Sequence, residues 1–299
     1  MRDVISALLA VPPVRQILIR AGRTSLGFAL LNRLSGIRRV YPGFDQARNA
    51  CRSTGSSGYE HNASLHDEQL ELPVRPSDYP AMMHIATIAG RRLFEFGSSV
   101  GNVYYMYRPF LNSRWTWDWT GYDLPDVVEY GRDIARERGA TALHFASELS
   151  AGSDCDLLLF SGSLHYWEEP ITTFFDRLGT LPPHVIVNRS PVRERGENVV
   201  VVQRQRGSYA FPCMLRSRER IIEEFRCLGY ELVDDWAEPG LCYQLPLLPE
   251  YSVKAYSGFY FRLPGVVAAP APESEPTTSE EEAWAQDSAL ELASAARNG

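Results

Sequence analysis

Leu93-Phe94-Glu95-Phe96-Gly97-Ser98-Ser99-Val100-Gly101-Asn102 is the stretch whose reading decides the fold. A short apolar run of strand length meets two glycines four residues apart, and Val103 to Phe110 beyond them is apolar and aromatic enough to begin a helix packed on that strand. Strand, tight turn and helix N-terminus together form a binding device: glycine lets backbone approach a ligand, and the first amides of a helix have no internal partner. Glu95 at the strand's end changes which ligand fits. It repels a pyrophosphate and attracts ammonium, hydroxyl or sulfonium groups. The spacing Glu-x-Gly-x-x-x-Gly also lacks the middle glycine of the dinucleotide fingerprint. S-adenosylmethionine therefore suits the loop better than NAD, although an ordinary strand-to-helix turn has the same pattern.

Downstream of the loop, Trp115 to Asp123 alternates aromatic and polar residues as a strand does and ends on an acid. In a parallel sheet this second strand lies beside the first, which places Asp123 to accept both hydroxyls of an adenosine ribose. The competing reading is that Asp123 caps the helix that follows, Asp126 to Gly139, with Asp126 as a rival for that job. Ala142 to Phe145 reads as a third strand, and Ser147 or Glu148 just beyond it would face an adenine ring. Cys155-Asp156-Leu157-Leu158-Leu159-Phe160 is a continuous apolar run, the pattern of a central parallel strand buried on both faces. It breaks at Ser161-Gly162-Ser163-Leu164-His165-Tyr166-Trp167-Glu168. Groups that meet substrate lie just beyond the carboxyl ends of central strands, so His165, Tyr166 and Glu168 are the catalytic candidates, with His165 as general base near its pKa at working pH. Packing of His165 and its aromatic neighbours under the loop is the alternative.

A helix from Pro170 to Leu178 leads to a fifth strand, His184 to Val187, and then to Arg189, which is placed either to hold an anionic substrate group or to form a surface salt bridge. Asn198 to Gln203 reads as a sixth, β-branched strand, followed by a loop carrying Tyr209, Phe211 and Pro212. A helix from Ser217 to Leu228 with a Gly229 stop follows, and Tyr230 to Trp236 with Ser257 to Leu263 completes the set. Helices alternating with strands give the α/β class.

Upstream, Tyr79 to Ala89 reads as a helix covering the first strand, while Arg39 to Asp78 reads as loop, with Tyr41, Phe44 and Tyr59 as candidate substrate contacts. Residues 1–40 carry seven arginines against one aspartate, and residues 265–299 seven acids against one arginine. The first segment has apolar residues at helical spacing broken by Pro12-Pro13 and is expected to be a helical extension capping the main domain. A membrane-surface role is the alternative. It shows neither a transmembrane span nor a convincing secretory signal. The Pro/Ala/acid-rich tail is expected to be disordered. The net charge of -7 argues against a general nucleic-acid binder, and five scattered cysteines with no C-x-x-C pair read as free thiols in a reducing cytoplasm. The expected organisation is therefore 1–40 basic helical extension, 41–264 α/β domain and 265–299 acidic tail.

The four stretches Leu93 to Asn102, Tyr122-Asp123-Leu124-Pro125, Leu159 to Tyr166 and Tyr256-Ser257-Gly258-Phe259-Tyr260-Phe261 together resemble class I S-adenosylmethionine-dependent methyltransferases. More narrowly, they look like a bacterial family of methyltransferases of undefined acceptor. The resemblance covers about Tyr41 to Leu263. It implies a doubly wound, mostly parallel seven-stranded sheet, Rossmann-like, with a final antiparallel strand. By that resemblance Glu95, Gly97 and Gly101 hold the methionine end of the cofactor and Asp123 binds ribose; Ser98, Ser147 and Ser161 are the further cofactor candidates. Ser99 stands where many methyltransferases have glycine. The implied reaction moves a methyl group from S-adenosylmethionine to an oxygen or nitrogen of a small-molecule or sugar-like acceptor. The sulfonium already activates the methyl, so no metal is required. His165 would remove the acceptor proton, and Tyr166 and Arg189 would orient the acceptor. The rival reading is a non-catalytic binding or assembly module on the same fold, associated with the membrane surface. Retention of both Glu95 and Asp123 counts against it.

Overall fold

The computed structural model describes residues 11–22, 24, 26–27, 40–53, 70, 72–111, 117–204, 210–245 and 248–265. In chain order the elements are helix α1 (Pro12–Gly22), α2 (Phe44–Ser53), α3 (Asp78–Thr87), strand β1 (Arg92–Phe96), α4 (Asn102–Leu111), β2 (Asp118–Tyr122), α5 (Pro125–Glu137), β3 (Leu143–Ala146) and β4 (Leu157–Ser161). There follow α6 (Ile171–Leu178), β5 (His184–Ser190), β6 (Val192–Arg193), β7 (Val199–Arg204), β8 (Ala210–Ser217), α7 (Arg218–Cys227), β9 (Glu231–Glu238) and β10 (Tyr256–Arg262).

Seven strands form one sheet in the order β3-β2-β1-β4-β5-β10-β9. β1 to β5 pair in parallel, and β10 runs antiparallel to both β5 and β9. This is the doubly wound, mostly parallel sheet with an antiparallel last strand that the class I methyltransferase resemblance implied. The chain starts at β1, winds outward to β3, then returns to β4 on the other side. The reversal opens a crevice at the carboxyl ends of β1 and β4, where such sheets bind ligands.

Alternation along the strands divides the core between two faces. Leu93, Trp119, Leu157, Leu159 and Ile186 pack with α3 and α4 on one face, and Phe94, Leu158, Phe160, Val185 and Val187 pack with α6 and α7 on the other. At the carboxyl ends the first face turns polar. Glu95, Ser161 and Asn188 continue the positions of Leu93, Leu159 and Ile186, and all three are buried. Apolar packing over the rest of the sheet stabilises these polar groups in place.

Three sequence expectations need correction. The β-branched sixth strand, β7, does not join the main sheet, and the stretch read as a loop around Phe211 is a strand, β8. With β6 these make a second sheet in the order β6-β8-β7. Val201, Cys213 and Leu215 bury one side of it against Tyr243, Leu245 and Val253. The other side takes Phe44, Ala47 and Cys51 of α2, a helix within the segment expected to be loop. Phe44, Ala47 and Cys51 follow a helical period, but the flanking turn residues mask it. Tyr41 N–H donates to Val200 O at 2.8 Å and fixes this segment to β7.

Pro12 and Pro13 open α1 rather than interrupting a helix, since proline lacks only an amide that the first turn leaves unpaired anyway. Most of the remaining residues expected as the basic extension, Tyr59, and the acidic tail beyond Gly265 lie outside the described residues. Among the described residues no helix is long and apolar enough to cross a membrane.

Candidate functional site

The crevice at the strand ends is a cleft of about 570 Å³. Its floor comes from β1, β4 and β5, one end from the glycine loop and the β2 terminus, and the other from the second sheet and the 241–243 segment.

The glycine loop is bound tightly to the end of β2. Gly97 N–H and Ser98 N–H both donate to Tyr122 O, at 2.8 and 3.0 Å. Three of its residues have left-handed backbone: Gly97 (φ +71°), Ser99 (φ +52°) and Gly101 (φ +88°). Ser99 thus adopts the conformation for which glycine is favoured, at a cost of about 1 kcal/mol. A Cβ on Gly97 would lie 2.6 Å from Ser163 Cβ, so the loop after β1 and the loop after β4 touch at a point where only glycine fits. Ser163 Oγ donates to Phe96 O across the same contact.

Asp123 is tied to this loop rather than to the first turn of α5. Ser99 N–H donates to its Oδ2 at 2.7 Å and Leu124 N–H to its Oδ1 at 2.8 Å, while Leu124 occupies the N-cap position. Each carboxylate oxygen retains a further lone pair beyond the one taken by its amide. Burial raises its pKa, against the lowering effect of these two amides.

Glu95 is fully buried. Trp119 Nε1–H donates to Oε2 at 2.9 Å, and Oε1 has no partner. Burial pushes its pKa up to about 8, with the Asp123 charge adding to the shift and Trp119 and Arg189 opposing it. An unpaired buried carboxylate oxygen is costly, and strongly shifted groups of this kind cluster at functional sites.

At the β5 end stands a buried polar network. Asp78 at the start of α3 is fully buried and accepts from Tyr107 OH (2.8 Å), Asn188 Nδ2 (2.9 Å) and Arg75 N (2.8 Å). Asn188 Oδ1 in turn accepts from Trp236 Nε1 at 3.0 Å and from Arg189 N at 3.0 Å. Arg189 has φ +54°, strained for a non-glycine residue, and its side chain turns into the cleft with 13% exposure. It is no surface salt bridge: Nη2 donates to Ser161 Oγ at 2.7 Å, and Nε lies 3.8 Å from Asp78 Oδ1.

His165, Tyr166 and Gln203 of β7 line the opposite wall. Tyr166 OH donates to Gln203 Oε1 at 3.2 Å. The buried Arg216 of β8 fixes the segment that carries them by donating to Trp167 O at 3.1 Å and Glu169 O at 3.4 Å. The expectation that His165 titrates near neutrality is corrected: burial, with Arg216 adding to it and Gln203 opposing, lowers its pKa to about 3. The ring is neutral, with Nδ1 buried and unpartnered.

Of the residues expected in the site, Glu95, Gly97, Ser98, Asp123, Ser161, His165, Tyr166 and Arg189 line this one cleft. Gly101 does not line it but shapes the loop behind it, where a Cβ would meet Leu143 at 2.6 Å. Ser147 lies past the end of β3, outside the lining residues. Glu168 pairs with Arg48 of α2, and Tyr41 and Phe44 serve the second sheet, so none of these three reaches the cleft. Sequence reading missed Asp78, Gln203 and Gly121. The last is required because a Cβ there would sit 2.3 Å from Ser98 Oγ. A glutamine closing the Val199 to Val202 run was a weak signal, and Asp78 was read only as the last residue of the loop before the helix. All five cysteines are free, as a scattered odd set suggested.

No family model matches the chain, and no curated protein matches it in sequence. Among solved structures, the chain is similar to Burkholderia thailandensis 1,6-didemethyltoxoflavin-N1-methyltransferase with bound 1,6-didemethyltoxoflavin and S-adenosylhomocysteine, at 15% identity and TM-score 0.46, over 75% of this chain and 92% of that one. It is also similar to the glycopeptide N-methyltransferase MtfA complexed with S-adenosyl-L-methionine, at 11% identity and TM-score 0.44, over 65% and 96%. A third, the CcbJ methyltransferase from Streptomyces caelestis, aligns at 14% identity and TM-score 0.44 over 67% and 96%.

Proposed function

We propose that the chain is an S-adenosylmethionine-dependent methyltransferase acting on a small-molecule acceptor. One observation carries this reading: Glu95, fully buried and with Oε1 left without a partner, lines the same cleft as Asp123 at the end of the next strand. An acceptor atom for an ammonium group and a carboxylate for a ribose diol are what that cofactor requires. The closeness of Gly97 to Ser163 and the two amides donated to Asp123 hold both in place. The residues present therefore fit the cofactor, with Glu95, Gly97 and Ser98 at its amino-acid end, Asp123 at its ribose and Ser161 on the floor between β1 and β5. Gly101 acts through the shape of the loop, and Ser147 near the β3 end is assigned to the adenine side.

Bound in the cleft, the cofactor supplies a sulfonium-activated methyl group. The chain's own task is to exclude water and align the acceptor's nucleophile with that methyl. His165, Tyr166 and Gln203 form the wall opposite the glycine loop and are assigned to the acceptor. A neutral imidazole of low pKa accepts a hydrogen bond from an acceptor O–H or N–H but removes a proton poorly. That favours a nucleophile needing no strong base, such as a neutral amine or ring nitrogen that sheds its proton after transfer, over an alcohol. Tyr166, held by Gln203, orients the acceptor from beside His165.

Ultraviolet crosslinking of the full chain with methyl-tritiated S-adenosylmethionine tests the reading. Label that is displaced by S-adenosylhomocysteine and not by NAD or ATP is the expected result. Absence of label, or displacement by NAD alone, would move the cleft to another cofactor class.

A further inference from the structure

We propose that Arg189 is a carboxylate receptor in the floor of the cleft, oriented by the buried Asp78. Its geometry is that of a held but uncommitted guanidinium. Of the five N–H donors on the side chain, the one hydrogen bond among the described residues goes from Nη2 to Ser161 Oγ at 2.7 Å. Nε is buried with no partner and stands 3.8 Å from Asp78 Oδ1, beyond hydrogen-bond reach. Asp78 supplies compensating charge without occupying those donors, because its own oxygens already receive Tyr107 OH, Asn188 Nδ2 and Arg75 N. A nearly buried guanidinium whose Nε has no partner costs stability, and a planar oxyanion meets it with two parallel charge-assisted bonds. The left-handed backbone of Arg189 and the bond from its amide to Asn188 Oδ1 aim the side chain back over β4 rather than out to solvent. Arg75 also lines the cleft and adds positive charge; Glu95 and Asp123 are the acids that face them.

The carboxylate has two chemical sources, the amino-acid end of the cofactor or an acid group on the acceptor. The first source rests on the methyltransferase reading, and the receptor itself does not. The test is calorimetry on the full chain with S-adenosylhomocysteine and with its decarboxylated analogue, which keeps the amine. Millimolar benzoate is added in a second arm, read by saturation-transfer NMR with benzamide as the neutral control, both with and without S-adenosylhomocysteine.

If the cofactor supplies the group, Arg189→Gln weakens S-adenosylhomocysteine at least tenfold and leaves the decarboxylated analogue unchanged. If the acceptor supplies it, both cofactor ligands bind the variant as they bind wild type, and benzoate, but not benzamide, binds wild type and is lost in the variant. Asp78→Asn reproduces whichever split is seen, whereas general loss of structure would weaken all ligands alike. Arg189→Lys, which keeps the charge and loses the fork, gives an intermediate loss and serves if the glutamine variant does not fold. The proposal is overturned if folded Arg189→Gln binds S-adenosylhomocysteine, its analogue and benzoate as wild type does, or if neither benzoate binding nor a cofactor split is found. If wild type binds neither adenosine ligand, the methyltransferase reading fails, and the benzoate arm still decides Arg189.

Discussion

The two ends of the cleft are built by different means. At the glycine-loop end the groups come from nearby stretches of chain, β1, the turn after it and the end of the next strand, β2, and backbone geometry does most of the placing: three left-handed residues, two amides on Tyr122 O and two on Asp123. At the opposite end the wall is assembled from parts far apart in the chain. His165 and Tyr166 follow β4, Gln203 belongs to β7 of the second sheet, and Arg216 of β8 braces the loop through the carbonyls of Trp167 and Glu169. A local device survives in any chain that keeps a few residues at fixed spacing. A long-range wall can be rebuilt by exchanging the inserted sheet while the local device is kept.

The two ends differ most at Glu95. Burial holds its carboxyl protonated, with a folded pKa of about 8 against an ordinary value of 4.5. The folded chain therefore keeps a proton that the unfolded chain releases, and ligand-free stability falls as pH rises from about 4.5 through 8, by on the order of 4 kcal/mol across the window. Glu95→Gln flattens that slope in urea melts at pH 5 and pH 8. A cationic group against Oε1 reverses the preference, so cofactor binding at pH 7 releases a proton and tightens toward pH 8. Calorimetry in buffers of different ionisation enthalpy measures the release, and Glu95→Gln abolishes it.

Gly97→Ala tests the contact between the two loops. A Cβ at φ +71° and 2.6 Å from Ser163 Cβ costs about 3 kcal/mol of stability, seen as a lowered denaturant midpoint. Tyr166→Phe removes the bond to Gln203 and costs about 1 kcal/mol of stability. If the two ends are independent, it leaves S-adenosylhomocysteine affinity unchanged, and a change greater than threefold would couple them. Ser99→Gly relieves a left-handed serine and stabilises by up to about 1 kcal/mol in the same melts.

The same division explains what the sequence disclosed. The parallel strands β1 to β5 and the glycine loop were legible because periodicity and spacing act over a few residues, whereas the seven-stranded sheet with its antiparallel last strand followed from the methyltransferase resemblance. The second sheet was not: Phe211-Pro212 looked like loop chemistry, and β8 is a strand only because β7 pairs with it through Val201 and Cys213. His165 was placed correctly at the end of β4, but its low pKa depends on burial and on Arg216, 51 residues away in the chain. Asp78 had no local signal, since its partners Tyr107, Asn188 and Arg75 converge only in three dimensions.

The most direct test of the central claim is calorimetric titration of the full chain with S-adenosylhomocysteine, beside Asp123→Ala. Micromolar binding, about -8 kcal/mol, that weakens roughly a hundredfold in the variant is the predicted result. A folded wild-type protein that shows no binding at millimolar ligand, or an Asp123→Ala variant that binds as tightly as wild type, would contradict it.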